Sequence, residues 1–90
     1  MTREEAKNGI IDILRTVHTI NKAKLDNVTE KTDFITDLGA PSTELVNIVA
    51  KAEEKFGVEF EDDDIDDIGS TMAETIDLVL KYVNKKEAIS

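Results

Sequence analysis

Residues 33–45 read DFITDLGAPSTEL and mark the point where an irregular stretch of the chain gives way to a regular one. Within residues 21–41, the apolar side chains are spaced too irregularly for a helix or a strand. Gly39 and Pro41 interrupt the pattern further. We therefore predict a long ordered loop over residues 21–41, a length at which loops are commonly functional.

A helix is predicted to begin at Ser42 and to end before Gly57, a natural helix stop. Its apolar residues recur every three or four positions: Leu45, Ile48, Val49, Ala52 and Phe56. A phosphate esterified to the Ser42 hydroxyl would meet free backbone N–H groups and the positive end of the helix dipole. On spacing alone, however, an ordinary N-cap at Ser42 or Thr43 is the favoured interpretation.

Three other segments carry a helical pattern. Apolar residues recur at helical spacing from Thr2 to Ile20, and Thr2 forms a capping box with Glu5. Residues 61–68 allow a short third helix, and residues 71–85 predict a last one. No strand pattern competes. The predicted fold is all-α: a small four-helix bundle with three longer helices, one short third helix and a long ordered loop between the first two.

The composition excludes several classes of protein. Ninety residues fit one small domain, predicted over residues 1–90. The chain carries 20 acidic and 11 basic residues, and its net charge of −9 disfavours binding to nucleic acid or to an anionic membrane surface. It has no cysteine and no apolar run long enough for a signal peptide or a membrane span. A cytoplasmic, monomeric protein whose partners have basic surfaces is predicted.

The residues offer little for catalysis. His18 is the only histidine and is predicted to be a partly exposed helix residue, so no catalytic residue is assigned. Residues 59–67 hold seven carboxylates in nine positions, but neither register of an EF-hand loop places glycine and the acidic ligands correctly. No metal site is assigned. A solvated charge run facing a partner is favoured there over weak binding of divalent ions.

The order of motifs resembles that of acyl carrier proteins. The likeness runs from Asp37-Leu38-Gly39-Ala40 and the serine after it, through Ala52-Glu53-Glu54-Lys55-Phe56-Gly57-Val58, to the acidic third helix and the last helix. The resemblance implies that Ser42 carries 4′-phosphopantetheine, transferred from coenzyme A by a phosphopantetheinyl transferase. The arm would then hold acyl or aminoacyl groups as thioesters for fatty-acid, lipid or specialised secondary biosynthesis.

The resemblance also implies where partner enzymes dock. The partners would be acyl-loading and acyl-transferring enzymes with basic docking surfaces. The candidate recognition residues are of two kinds. Thr43, Val46 and Ala50 fall at helical spacing on a stripe offset from the core residues, and Glu44, Glu53 and Glu54 match the acids with which the family engages basic patches. For each of them, an ordinary solvated residue is the alternative. The chain departs from the family at the attachment site, where Pro41-Ser42-Thr43 replaces the usual Asp-Ser-Leu. An acidic helical interaction module without the prosthetic group is the alternative function, and an enzyme is a distant third.

Overall fold

The computed structural model describes residues 1–89, with side chains through residue 87. These residues form four α-helices and one 3₁₀ helix, in the order α1 (Arg3–Leu14), 3₁₀ (Lys22–Asn27), α2 (Glu44–Phe56), α3 (Asp62–Asp67) and α4 (Met72–Ile89). Within the described residues, the only β pairing is an isolated bridge between Asp33 and Thr71. The predicted all-α fold with a short third helix is confirmed, and the long loop contains one additional 3₁₀ helix.

Helix α1 begins where the sequence predicts but ends earlier. The Thr2 side chain accepts a hydrogen bond from the Glu5 N–H, and the Glu5 side chain accepts one from the Thr2 N–H. The prediction that the helix continues to Ile20 is wrong. After Arg15 the hydrogen bonds span three residues instead of four. The Thr16 N–H and Oγ1 both donate to the Ile13 carbonyl, at 3.0 and 2.7 Å. Ile20 is nevertheless buried, so the apolar spacing predicted burial there but not helical backbone.

Helices α1 and α2 run antiparallel and touch closely at a glycine. A Cβ atom added at Gly9 would lie 2.6 Å from Cζ of Phe56. The Phe56 ring can therefore pack here because Gly9 has no side chain. Further along α1, Asp12 faces Lys55 at 3.8 Å, and Lys51 donates to Thr16 at 3.0 Å. The amino-terminal end of α2 therefore lies beyond the carboxyl-terminal end of α1.

The core draws on every long helix and on the loop between α1 and α2. Its largest fully buried side chains are Phe34, Ile10, Leu14, Ile48, Met72, Ile76 and Val79. Phe34 comes from the segment that the sequence marked as irregular, and it is only 1% exposed. The loop therefore supplies part of the core itself.

Helix α3 is held by Ile65, which packs against the core, and by polar contacts to α4. None of its six residues is buried, and only Asp64 and Ile65 are half-buried. The Tyr82 hydroxyl of α4 donates to Asp64 and accepts a 3.1 Å hydrogen bond from the Glu61 N–H. Lys81 lies 3.2 Å from the same Asp64 carboxylate, and these contacts hold the pKa of Asp64 below its ordinary value. One tyrosine thus anchors a helix that has little apolar surface to bury.

Helices α2 and α4 end differently from each other. Gly57 terminates α2 as predicted, in a left-handed conformation with φ of 67°, and its N–H donates to the Glu53 carbonyl. Helix α4 continues to Ile89, past the predicted end at Lys85. Ser90 lies outside the described residues.

Replacing Gly57 tests the importance of this cap. The Gly57→Ala variant is expected to lower the free energy of unfolding by about 1 kcal/mol, because a side chain disfavours positive φ. Gly57→Asn is the matched control and should lose less, since asparagine tolerates the left-handed region better. Urea unfolding followed by circular dichroism measures both. Equal stability of Gly57→Ala and the wild type would contradict the assignment.

Candidate functional site

The loop that precedes Ser42 is fastened to the start of α4 by backbone hydrogen bonds. The Phe34 N–H donates to the Ser70 carbonyl at 2.7 Å, and the Met72 N–H donates to the Thr32 carbonyl at 2.9 Å. The Ala73 N–H adds a 2.8 Å bond to a carbonyl two residues before Thr32. The bonds from Met72 and Ala73 satisfy N–H groups in the first turn of α4 that have no partner within the helix. The same bonds fix the loop against that helix.

Asp33 organises the turn that leads towards the serine. One carboxylate oxygen accepts hydrogen bonds from the N–H groups of Ile35 and Thr36, at 2.8 and 3.0 Å. The other accepts a 2.7 Å bond from the Ser70 hydroxyl. The bond from Ser70, together with the backbone donors, holds the pKa of Asp33 below its ordinary value. Sequence reasoning missed this role, although aspartate is a common first residue of such turns.

Residues 37–40, the later part of this turn, form hydrogen bonds back to Asp33 and Phe34. Asp37 accepts a 2.8 Å hydrogen bond from the Asp33 N–H, and the Ala40 N–H donates to the Phe34 carbonyl at 2.9 Å. Gly39 adopts a positive φ of 80°, which glycine accepts without strain. The Asp-Leu-Gly-Ala motif noted in the sequence therefore forms a closed turn directly before Pro41.

Ser42 leaves this turn with its hydroxyl exposed. Within residues 1–89 its side chain makes no hydrogen bond, and α2 begins two residues later, at Glu44. Thr43 occupies the N-cap position but makes no side-chain capping bond. The predicted N-cap position is therefore confirmed at Thr43, but the expectation that the side chain of Ser42 or Thr43 caps the helix is wrong. Instead, the carbonyl groups of Pro41 and Ser42 accept the first N–H groups of α2, at 2.9 and 3.2 Å, which leaves the serine hydroxyl without a structural role.

The exposed surface of α2 next to Ser42 is poor in charge. Val46 is 65% exposed one turn after the serine, and Thr43 and Ala50 are exposed beside it at helical spacing. The two lysines of α2 lie towards α1, where they contact Thr16 and Asp12. These three exposed residues form a mainly apolar ridge that starts at Ser42, and we call it the α2 ridge.

The acidic residues predicted for recognition differ in their surroundings. Glu53 is half-buried, and its carboxylate accepts a 2.9 Å hydrogen bond from the Phe60 N–H, so it shapes the turn after α2. Glu44 is half-buried and accepts a 3.3 Å bond from the Asn47 amide, whereas Glu54 is exposed. Helix α3 exposes four carboxylates: Asp62, Asp63, Asp66 and Asp67. Helix α3 therefore carries the densest run of exposed negative charge.

Other candidate sites gain no support from the geometry. In the part of the chain that the structure describes, no three or more histidine or acidic side chains are arranged to hold a metal ion. His18 is exposed in the turn after α1, so the prediction that it lies on a helix is wrong. No helix among residues 1–89 combines the length and the apolar character needed to cross a membrane.

Comparison with known proteins identifies the family. A family model described as "Phosphopantetheine attachment site" matches residues 11–79, a region that contains Ser42. The acyl carrier protein of Lactobacillus acidophilus is 37% identical over 68 residues, which are 76% of this chain and 81% of that protein. The acyl carrier protein of Chlorobium phaeovibrioides is 33% identical over 81 residues, covering 90% and 99% of the two chains. That of Lactobacillus johnsonii is 32% identical over 84 residues, covering 93% and 100%.

The lowered pKa of Asp33 predicts how acid affects stability. Folding favours the ionised form of the Asp33 carboxylate. Its contribution to the free energy of unfolding is therefore complete at pH values above 3.8, the ordinary pKa, and is lost as the pH falls below that value. The Asp33→Asn variant should have a lower free energy of unfolding than the wild type at neutral pH. This difference in free energy should narrow below pH 3.8. Urea unfolding of both proteins over a pH series measures this. A difference that does not change with pH would contradict the prediction.

Proposed function

Because the chain belongs to the acyl carrier protein family, for which the prosthetic group is 4′-phosphopantetheine, we propose that Ser42 is the residue that carries this group. The proposed role is to hold acyl or aminoacyl groups as thioesters on the thiol of the arm. Tethering the cargo in this way raises its effective concentration at a docked enzyme. The protein itself is proposed to be non-catalytic, and residues 1–90 to form a single carrier domain.

The exposed and unbonded hydroxyl of Ser42 is the observation that carries this proposal. In the transfer, Ser42 Oγ forms a bond to the phosphorus that bears the pantetheine, and the pyrophosphate bond of coenzyme A breaks. Adenosine 3′,5′-bisphosphate leaves, and the hydroxyl proton passes to a base of the transferase. A serine used as a side-chain N-cap would first have to give up that bond, whereas Ser42 has none to lose.

The unusual neighbours of Ser42 are compatible with this chemistry. Pro41 lacks the carboxylate usual in the family, but its carbonyl accepts the Glu44 N–H at 2.9 Å and so supports the start of α2. Thr43 is exposed and makes no capping bond that would cover the serine. Both replacements therefore leave the hydroxyl accessible. A transferase that recognises the usual aspartate finds Pro41 in its place. The experiment therefore uses more than one transferase.

Modification of Ser42 is tested by intact mass. Incubating the protein with coenzyme A and a transferase of broad specificity should add one phosphopantetheine group. The Ser42→Ala variant should gain none, and Thr43→Ala is the matched control, which should be modified like the wild type. No adduct on the wild type with several transferases would favour the interaction module without a prosthetic group. An adduct that survives Ser42→Ala would place the site elsewhere.

The partners are proposed to be the transferase and enzymes that load and transfer acyl groups. The α2 ridge offers apolar contact beside Ser42, and the exposed carboxylates of α3 suit a basic patch on the same partner. The pathway is proposed to be fatty-acid, lipid or specialised secondary biosynthesis. A cytoplasmic location and a monomeric state stay predictions from the sequence.

Charge reversal on α3 tests the electrostatic part of docking. Asp63→Lys should lower kcat/KM for modification about threefold at low ionic strength, and the effect should fade in about 0.5 M salt, where screening is strong. Glu4→Lys is the matched control: it makes the same charge change at an exposed position in the first turn of α1, outside α3. Equal losses in the two variants would show that only net charge matters. No loss in either would remove α3 from the docking surface.

A further inference from the structure

Ser42 owes its position entirely to its backbone. Its side chain makes no hydrogen bond within the described residues and is exposed, so no contact of its own fixes the hydroxyl. Just upstream, the buried Ala40 donates its N–H to the Phe34 carbonyl at 2.9 Å. The place of the hydroxyl therefore depends on the closed turn formed by residues 33–40. We call this segment the attachment turn.

Asp33 is the residue on which the attachment turn converges. Its carboxylate accepts the N–H groups of Ile35 and Thr36, and its backbone carbonyl accepts those of Asp37 and Leu38, at 3.0 and 3.2 Å. Its own N–H donates to Asp37 at 2.8 Å. Five hydrogen bonds within the turn therefore meet at this single residue.

Ser70 ties this residue to the rest of the bundle. Its hydroxyl donates to the second carboxylate oxygen of Asp33 at 2.7 Å, and its carbonyl accepts the Phe34 N–H at 2.7 Å. Ser70 lies in the connection between α3 and α4 and is half-buried. Because hydrogen bonds to an ionised carboxylate are stronger than neutral ones, this contact restrains the turn more firmly than a serine–carbonyl bond would.

We propose that Asp33 is a positioning residue for the modification of Ser42: held by Ser70, it keeps the attachment turn in the conformation that presents the serine hydroxyl to the transferase. The inference rests on the proposed function, since it concerns the same serine. It adds that a residue nine positions upstream, which does not touch the reacting atoms, determines how well the transferase binds the carrier.

The proposal has a kinetic signature. Without its carboxylate, Asp33 loses the bonds from Ile35, Thr36 and Ser70 and keeps only those made by its backbone, so the attachment turn occupies several conformations and only a fraction of molecules can dock. Apparent affinity falls in proportion to that fraction, whereas a molecule that has docked reacts as before. The KM for the carrier should therefore rise while kcat stays nearly constant. A loss of overall stability does not produce this pattern as long as the protein remains folded.

The test compares rates of phosphopantetheine transfer to the full chain at a temperature where every variant is folded by circular dichroism. Asp33→Ala should raise KM about tenfold, with kcat within about twofold of the wild type. Ser70→Ala should raise KM less, because the bonds within the turn survive. Asp33→Asn should recover part of the loss, since its amide oxygen can still accept the two backbone N–H groups. Gly57→Ala is the control, because it destabilises the opposite end of α2 and should keep the wild-type KM.

Hydrogen exchange provides a second readout that needs no transferase. The amides of Phe34 and Ala40 should exchange faster in Asp33→Ala, while those of Ile48 and Val49 inside α2 should not. A wild-type KM in folded Asp33→Ala would overturn the inference, as would an equal rise in Gly57→Ala. If Asp33→Ala does not fold, Ser70→Ala and Asp33→Asn decide by the same criteria. Failure of the wild type to accept the group would overturn the proposed function, whereas modification with unchanged KM and exchange would overturn only this inference.

Discussion

The attachment of the loop before α2 to the start of α4 is the constraint on which the rest of this structure depends. A long irregular segment loses much conformational entropy when it is ordered. Here the burial of Phe34 and the backbone bonds to Ser70 and Thr32 offset that loss. The loop thereby becomes part of the core and closes one end of the bundle. Ser42, which follows directly, is exposed, and its carbonyl accepts a hydrogen bond from the Leu45 N–H at 3.2 Å.

Helix α3, which is rich in negative charge, is attached to the bundle in a different way from the loop before α2. This six-residue helix contains five aspartates and buries none of its residues completely, so the half-buried Ile65 is its one apolar contact with the core. Tyr82 and Lys81 supply the missing attachment through Asp64, while Phe60 packs on the Tyr82 ring with centroids 5.0 Å apart. The remaining aspartates stay exposed to solvent. A short helix can thus carry a dense run of exposed negative charge because a neighbouring helix holds it by a polar contact.

Particular residues show how far the sequence could be interpreted. The capping box of Thr2 and Glu5, the stop at Gly57 and the periodic stripe of α2 were all predictable, because each depends on residues close together in the chain. The end of α1 was not. Val17 continues the apolar spacing of α1 and is buried, yet it lies beyond the helix, since periodicity predicts which side chains face the core and not the backbone that carries them.

The sequence by itself determined the all-α class, the order of the helices and the concentration of acid in its later part, and the resemblance pointed to Ser42 as the proposed attachment residue. The tertiary structure decided that this serine is free of any capping bond, that Glu53 supports a turn and that Asp33 meets Ser70. The physical reason is the distance along the chain. Caps and periodicity arise from neighbours within a few positions, whereas Asp33 and Ser70 are 37 residues apart and meet only when the helices pack.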